Sequence, residues 1–343
     1  MRAFKWRDDA TGQEVARALL DAADRGVKVT IYKDQVGAHY EYFEGNGQSF
    51  FHKRLPPKAR FETLFIITMY LRWGRRPQRP SELADALRDH ENVDLRVEGK
   101  TFDHAKLYII DDEYLIFGGV GIGDDSRYDN LDYMVEVGCE HTLRRFHARS
   151  DGAAFDPDRP VDFLIHNKSV HPRHRPPLLS DRLNLIRSAQ RTLLVEMAYL
   201  GHPEFTDALV DAVKRGVHVT LVTSARANIL GALARYTCNQ LIRRTGAPDN
   251  LRVVFHPKFV HSKAMVIDGE RAELGSANFT PISHGVYDEV GIHVHDAAFA
   301  QAVAREIEKH ADEGTRAYKP VRYSRIYAVV EWAIVTYQGR GTR

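Results

Sequence analysis

Cysteine is nearly absent: Cys139 and Cys238 are the only two in 343 residues. One pair makes no disulfide framework, and no CxxC spacing points to zinc. A reduced, cytosolic setting is the simpler expectation. Long apolar runs are also missing. No segment approaches the ~18 apolar residues of a membrane-spanning helix, and the opening MRAFKWRDDATG lacks the apolar core of a signal peptide. Nor is there a large charge of one sign. Lys and Arg number 48 against 46 Asp and Glu, a formal net charge of +2. Strong nucleic-acid binders draw affinity from many phosphate contacts, so this balance speaks against one. Mild basicity still fits a phosphate-bearing partner. The length allows about two domains.

What is present is a repeat. Residues 18–32 read ALLDAADRGVKVTIY and residues 208–222 read ALVDAVKRGVHVTLV; nine of the fifteen positions are identical. Each reads as a helix closed by a glycine, Gly26 or Gly216, in a left-handed conformation. A β-branched strand follows at once. A second pair is HAKLYIID at 104–111 and HSKAMVID at 261–268. The helix–strand units are offset by 190 residues and the His-x-Lys strands by 157, so the first half holds 33 extra residues between its landmarks. This is duplication at domain scale rather than a short-period solenoid. Strand and helix patterns alternate, giving an α/β fold with mixed sheets and helices on their faces. The expected organisation is a first lobe over 1–150 with an insertion at about 35–80, a connection over 151–180, a second lobe over 181–312 and an amphipathic extension over 313–343. The second half has a leading strand at 192–199; in the first half that strand is either missing or replaced by RAFKW.

Side chains alternate faces along a strand, so His104 and Lys106 share one face, as do His261 and Lys263. Asp111 and Asp268 end the strands, before the turns DDE and DGE, and DG between two β-rich runs signals a hairpin. The return strands lead to GGVG at 118–121 and GSAN at 275–278. Ser276 and Asn278 share a face, within reach of the phosphate that His261 would meet. Two histidines suit a double displacement. One imidazole attacks phosphorus to give a covalent intermediate. The other protonates the leaving oxygen and then deprotonates the acceptor. The lysines and Asn278 offset charge on the nonbridging oxygens, so the expected chemistry needs no metal and no cofactor. A lone His-x-Lys at a strand edge is usually a solvated polar edge; two copies with the same spacing, hairpin and flanking repeat favour catalysis.

With both copies of HxKx4D intact, the sequence resembles the phospholipase D superfamily, and within it the bacterial cardiolipin synthases. The likeness runs through HAKLYIIDDEYLIFGGVGI, DNLDYMVEVGC and HSKAMVIDGERAELGSANFTPISHGVYDEVGIHVHD. It implies two pseudo-symmetric lobes with one active site at their interface and a phosphohistidine intermediate. It implies His104 as nucleophile, His261 as acid and base, and Lys106, Lys263, Asp111 and Asp268 as the rest of the catalytic set. It also implies that Asp132 and Glu289 support the opposite or the adjacent histidine. One departure stands out: the family's Asn after the first motif is Gly121 here.

The resemblance implies a phosphatidyltransferase or phospholipase acting on anionic phospholipid, held peripherally at the inner membrane. The alternative is a phosphodiesterase acting on nucleic acid. The insertion bears on this choice. Residues 53–79 set eight Lys and Arg against Glu62 alone, among Phe61, Phe65, Ile66, Tyr70 and Trp73. That mixture suits an interfacial segment or a core helix with a basic rim. RYSRIYAVVEWAIVTYQGRGTR at the end poses the same choice between the protein's own surface and a bilayer. Tyr199, in EMAYL, is a pocket candidate or a core tyrosine.

Overall fold

Gly26 and Gly216 both adopt a φ of 91°. Each closes a helix in the region that a Cβ resists and sends the chain straight into a strand. The computed structural model describes residues 1–44, 49–52, 57, 81–97, 102–171 and 176–339. The basic and aromatic run expected at 53–79 lies outside these, Pro57 excepted. Contacts divide the chain into two units, Met1–Ile109 with Val120–Asp129, and Ile110–Gly119 with Asn130–Arg343.

The first unit contains β1 (Arg2–Ala3), α1 (Ala10–Asp24), β2 (Val29–Lys33), α2 (Gln35–Glu44), α3 (Glu82–Asp89), β3 (Val93–Arg96) and β4 (Lys106–Ile110), which ends at its boundary. The strand order is β3-β2-β1-β4. β1 runs parallel to β2 and antiparallel to β4. RAFKW therefore does supply a leading strand, shortened to two residues. Its Trp6 is fully buried, stacked on Phe50 at 5.2 Å and edge-on to Phe51 at 5.0 Å. Burying rings of this size is worth ~1.5–3 kcal/mol each, which anchors so short a strand. Asp9 starts α1 by accepting from the Gly12 amide.

The second unit follows with β5 (Tyr114–Gly118), β6 (Asn130–Leu131), β7 (Met134–Val137), α4 (Glu140–Ser150), β8 (Val161–His166), α5 (Pro177–Ser188), β9 (Thr192–Met197), α6 (Pro203–Lys214), β10 (His218–Ser224), α7 (Gly231–Thr245) and β11 (Leu251–His256). Then come β12 (Phe259–Val260), β13 (Lys263–Ile267), β14 (Arg271–Gly275), α8 (Pro281–Gly285), β15 (Glu289–His295), α9 (Ala297–Glu313), β16 (Thr315–Arg316) and α10 (Arg325–Gly339). Eight strands form one sheet in the order β16-β11-β10-β9-β13-β14-β15-β8. β9 is parallel to β10 and antiparallel to β13, as β1 is to β2 and β4. Val195 and Met197 point into the core that α5, α6 and α7 cover, while Glu196 between them points toward α9. A sheet covered on both faces explains the near-continuous apolar runs of its inner strands.

One expectation needs correction. The stretch 151–180 is not only a connection, because it holds β8, which pairs antiparallel with β15. Its Pro, Asp and His content belongs to the ends around VDFLIH and masks the strand.

Candidate active site

Each motif ends in the same backbone device. Asp111 and Asp112 have φ of 54° and 53°, and Asp268 and Gly269 have 56° and 69°. Glu113 N donates to Ile110 O and Glu270 N to Ile267 O. Two left-handed residues at the corner make the tight turn that suits twisted antiparallel strands, and aspartate is among the few side chains that tolerate it. The Asp268 carboxylate also accepts from the amides of Gln190, Arg191 and Thr192, fastening the start of β9. Burial alone would raise its pKa, but these amides and Arg191 hold it below the usual value. Seven residues of extended chain, roughly 20 Å, separate it from His261. Asp111 and Asp268, expected among the catalytic residues, thus stand at the hairpin corners, and the Asp268 carboxylate fixes its corner to the start of β9.

At the near end of β13, the chemistry gathers. β6 pairs parallel with β12, and Leu131 O accepts from the amides of both His261 and Ser262. That pairing sets Asp132 beside the imidazole, with Oδ2 2.6 Å from His261 Nδ1. A carboxylate only accepts, so the proton sits on Nδ1 and Nε2 is the nitrogen left without one, with Lys263 Nζ 3.4 Å away. Of the two arrangements the resemblance allows, Asp132 takes the opposite motif's histidine.

Gly119 makes this possible. A Cβ there would lie 2.1 Å from Asp132 Oδ1. Ser276 occupies the matching place in the second copy, and its hydroxyl donates to Glu289 at 2.5 Å. GGVG is therefore not simply a degraded GSAN: its second glycine opens the space that the shorter acid fills. Beside Gly121, the space of an added Cβ is bordered by Ser126 Oγ at 3.3 Å.

The lysines behave alike. Lys106 Nζ donates to His104 O at 2.6 Å, and Lys263 Nζ donates to His261 O. Lys263 Nζ also lies 3.2 Å from His261 Nδ1. Burial pulls the Lys263 ammonium below its ordinary pKa, against Asp132 and Glu289, whose charges raise it. Each histidine meets an aromatic ring. Phe4 is edge-on to His104 at 4.7 Å and lies under Lys106 Nζ at 5.1 Å. Phe259 and Tyr199 stand 5.5 and 6.3 Å from His261. Tyr199 is both wall and core: it packs with Leu230, Leu233 and Val335, and its hydroxyl donates to Asn228. Ser276 and Asn278 are buried, and the backbone N–H of Asn278 donates to Ser283 Oγ at 3.2 Å.

Behind His261 lies a network that sequence reasoning missed. Ser262 points the other way and donates to Glu196, whose second oxygen is 2.7 Å from His310 Nδ1. Glu196 and Ser262 are fully buried. The bond to Glu196 raises the His310 pKa. Burial, then the charge of Glu196, pushes the Tyr133 phenol up. A charged residue inside the apolar run TLLVEM was the one available signal for this network.

The model for the family described as cardiolipin synthase, PLD-like domain, matches residues 2–149 and 183–311, which include both motifs. The chain belongs to that family, and so to the two-lobed phospholipase D superfamily, whose members are enzymes of phosphatidyltransferase or phosphodiesterase type. It is 31% identical over 392 residues to an uncharacterized protein of Helicobacter pylori J99, covering 91% of this chain and 74% of that one. It is 23% identical over 332 residues to cardiolipin synthase B of Escherichia coli K12, covering 88% and 72%. Among solved structures, phosphatidylserine synthase of Haemophilus influenzae Rd KW20 shares the fold, with a TM-score of 0.64 at 11% identity over 99% of this chain and 86% of that one.

Proposed function

We propose that the protein is a phosphatidyltransferase of the cardiolipin synthase type, working at a membrane surface to which it is peripherally held. It takes a phosphatidyl group from phosphatidylglycerol or a similar anionic phospholipid and passes it to an alcohol, with water as the competing acceptor. An imidazole nitrogen of His104 forms a bond to phosphorus as the bond to the leaving glycerol oxygen breaks. His261 gives that oxygen its proton. In the second half, His261 takes the proton of the acceptor hydroxyl, whose oxygen displaces His104. Lys106, Lys263 and Asn278 face the charge on the nonbridging oxygens. The Asp132–His261 couple at 2.6 Å carries this reading, because a carboxylate on Nδ1 suits an imidazole that both gives and accepts a proton at Nε2.

The test is one panel. Purified protein is incubated with phosphatidylglycerol vesicles, phosphatidylcholine vesicles and single-stranded DNA, each with and without EDTA, and lipids are read by mass spectrometry. Cardiolipin that forms in EDTA and disappears in His104→Ala and His261→Ala supports the proposal. DNA cleavage without lipid turnover overturns it in favour of a nuclease. Trapping the phosphoryl label identifies the nucleophile.

A further inference from the structure

The C-terminal helix α10 turns its apolar side outward. At 100° per residue, Ala328, Glu331 and Val335 share one side, and all three are buried. Through that side the helix packs on α7 and α8. The opposite side carries Ile326, Val329, Ala333 and Tyr337, with Trp332 at its flank. Ile326 is 78% exposed, Val329 63% and Tyr337 73%. A helix apolar all round belongs in a core or in lipid, and this one has a core on one side only. Its fifteen residues rise ~22 Å, short of the ~30 Å needed to cross a bilayer.

Charge names the other side's partner. From residue 314 onward the sequence has six Lys and Arg and a single acid, Glu331. That acid is turned inward, where its Oε2 accepts from the Leu233 amide at 2.7 Å near the start of α7. Lys319, Arg322 and Arg325, just ahead of the helix, are exposed. An apolar face with a tryptophan at its edge and cations around it suits the headgroup region of an anionic bilayer. The inner side leads to the chemistry. Val335 shares a cluster with Tyr199, whose ring borders His261. α8, on which α10 also rests, begins three residues after Asn278.

We propose that the outer face of α10 docks in the plane of an anionic phospholipid surface, inserting Ile326, Val329, Trp332 and Tyr337 beside the wall of His261. The docking stands on the helix alone; its link to turnover rests on the phosphatidyl-transfer reading. The test compares wild type with an Ile326→Ser, Val329→Ser, Tyr337→Ser variant and with Arg322→Gln, Arg325→Gln. All five side chains are exposed, so unchanged thermal melts are expected. Vesicles of phosphatidylglycerol with phosphatidylcholine, and of phosphatidylcholine alone, are used in flotation. Wild type should float with the anionic vesicles, and the triple variant should bind about tenfold or more weakly, the loss of a few buried apolar groups. The arginine variant should lose the preference for anionic lipid. Turnover of vesicular phosphatidylglycerol should fall in parallel, while hydrolysis of water-soluble bis(p-nitrophenyl) phosphate stays unchanged. Equal vesicle binding by wild type and triple variant overturns the proposal. So does a wild-type dimer that the triple variant converts to monomer with no change in vesicle binding, which would assign the face to a second copy. Wild type that floats with the vesicles but turns over no phospholipid supports the docking and defeats the proposed reaction instead.

Discussion

Asp132, which follows the first motif, holds the imidazole of His261 from the second at 2.6 Å. A carboxylate that follows the first motif thus orients the histidine of the second, the group proposed as acid and base. In Asp132→Asn the shape survives, but the amide can donate to Nδ1 and so drive the proton to Nε2. The ring is then in the wrong tautomer for proton transfer. The expected loss is ~10²-fold in kcat, within the range of general acid–base catalysis, with KM little changed. A pH–rate profile should also lose or move its basic-side dependence. Unchanged kcat would remove Asp132 from the acid–base role.

Gly119→Ala tests the same couple from the other side. The new methyl would meet Asp132 Oδ1 at 2.1 Å, so the carboxylate must shift. Overpacking of this kind costs ~1–3 kcal/mol, and here part of it falls on the His261 bond. Activity should drop nearly as far as in Asp132→Asn. The double variant should be little worse than either single one, since residues sharing one interaction are not additive. Kinetics on the four proteins of the cycle decide the point; additive losses would separate Gly119 from Asp132.

Asp268 gives the opposite expectation. Its carboxylate holds three backbone amides at the start of β9, far along the strand from His261. Asp268→Ala leaves those amides without their acceptor, at ~1–3 kcal/mol if they stay dry. The melting temperature should fall, while kcat per folded molecule stays close to wild type. Because its folded pKa is depressed, Asp268 contributes stability above its unfolded pKa and loses it as pH falls through the folded one. A collapse of kcat in well-folded Asp268→Ala would restore it to the chemistry.

The repeat, the strand face shared by histidine and lysine, and the α/β alternation could all be read from the sequence, because each depends on local periodicity or on identity between copies. The partner of Asp132 could not be fixed, since the β6–β12 pairing joins residues 130 and 259 and no local pattern specifies it. RAFKW was ambiguous because a two-residue strand has no period; burial of Trp6 and the Phe4–His104 contact define it. HxKx4D invites a chemical reading of all three residues. Backbone angles show that the aspartate answers a turn's demand for a left-handed corner.

Ser262→Ala probes the network behind His261. Removing the hydroxyl deletes its bond to Glu196, worth ~1 kcal/mol net. If that bond only stabilises the fold, the melting temperature falls and kcat of the folded enzyme does not move. If it positions the strand segment carrying His261, kcat falls about fivefold, the kinetic equivalent of ~1 kcal/mol. The buried, charge-assisted geometry favours positioning, and Ser262→Thr, which keeps a hydroxyl, should recover much of the loss. Wild-type kcat in Ser262→Ala would leave the network a purely structural role.

Stability should also depend on pH through buried histidines of opposite sign. Burial lowers His52, His202 and His293 from 6.5 to about 4. Their stabilising effect is complete above pH 6.5. It is lost as pH falls toward 4, because the unfolded chain takes up protons that the folded chain refuses. His310 runs the other way: its folded pKa is raised, chiefly by the bond to Glu196. Its contribution is full below 6.5 and is lost as pH rises through the folded value. Burial lowers His171 and His284 as well. Five shifted histidines thus oppose His310, and together they should lower the melting temperature between pH 6.5 and 4. Asp181, pushed up to about 6 by burial, works against them over the same range. In His310→Gln, which can still donate to Glu196 but carries no charge, the deficit against wild type should be largest below pH 6.5 and shrink as pH rises. In His202→Asn the acid loss should be shallower than in wild type. Thermal melts across this range check both slopes, and a deficit in His310→Gln that grows with pH would refute the His310–Glu196 ion pair.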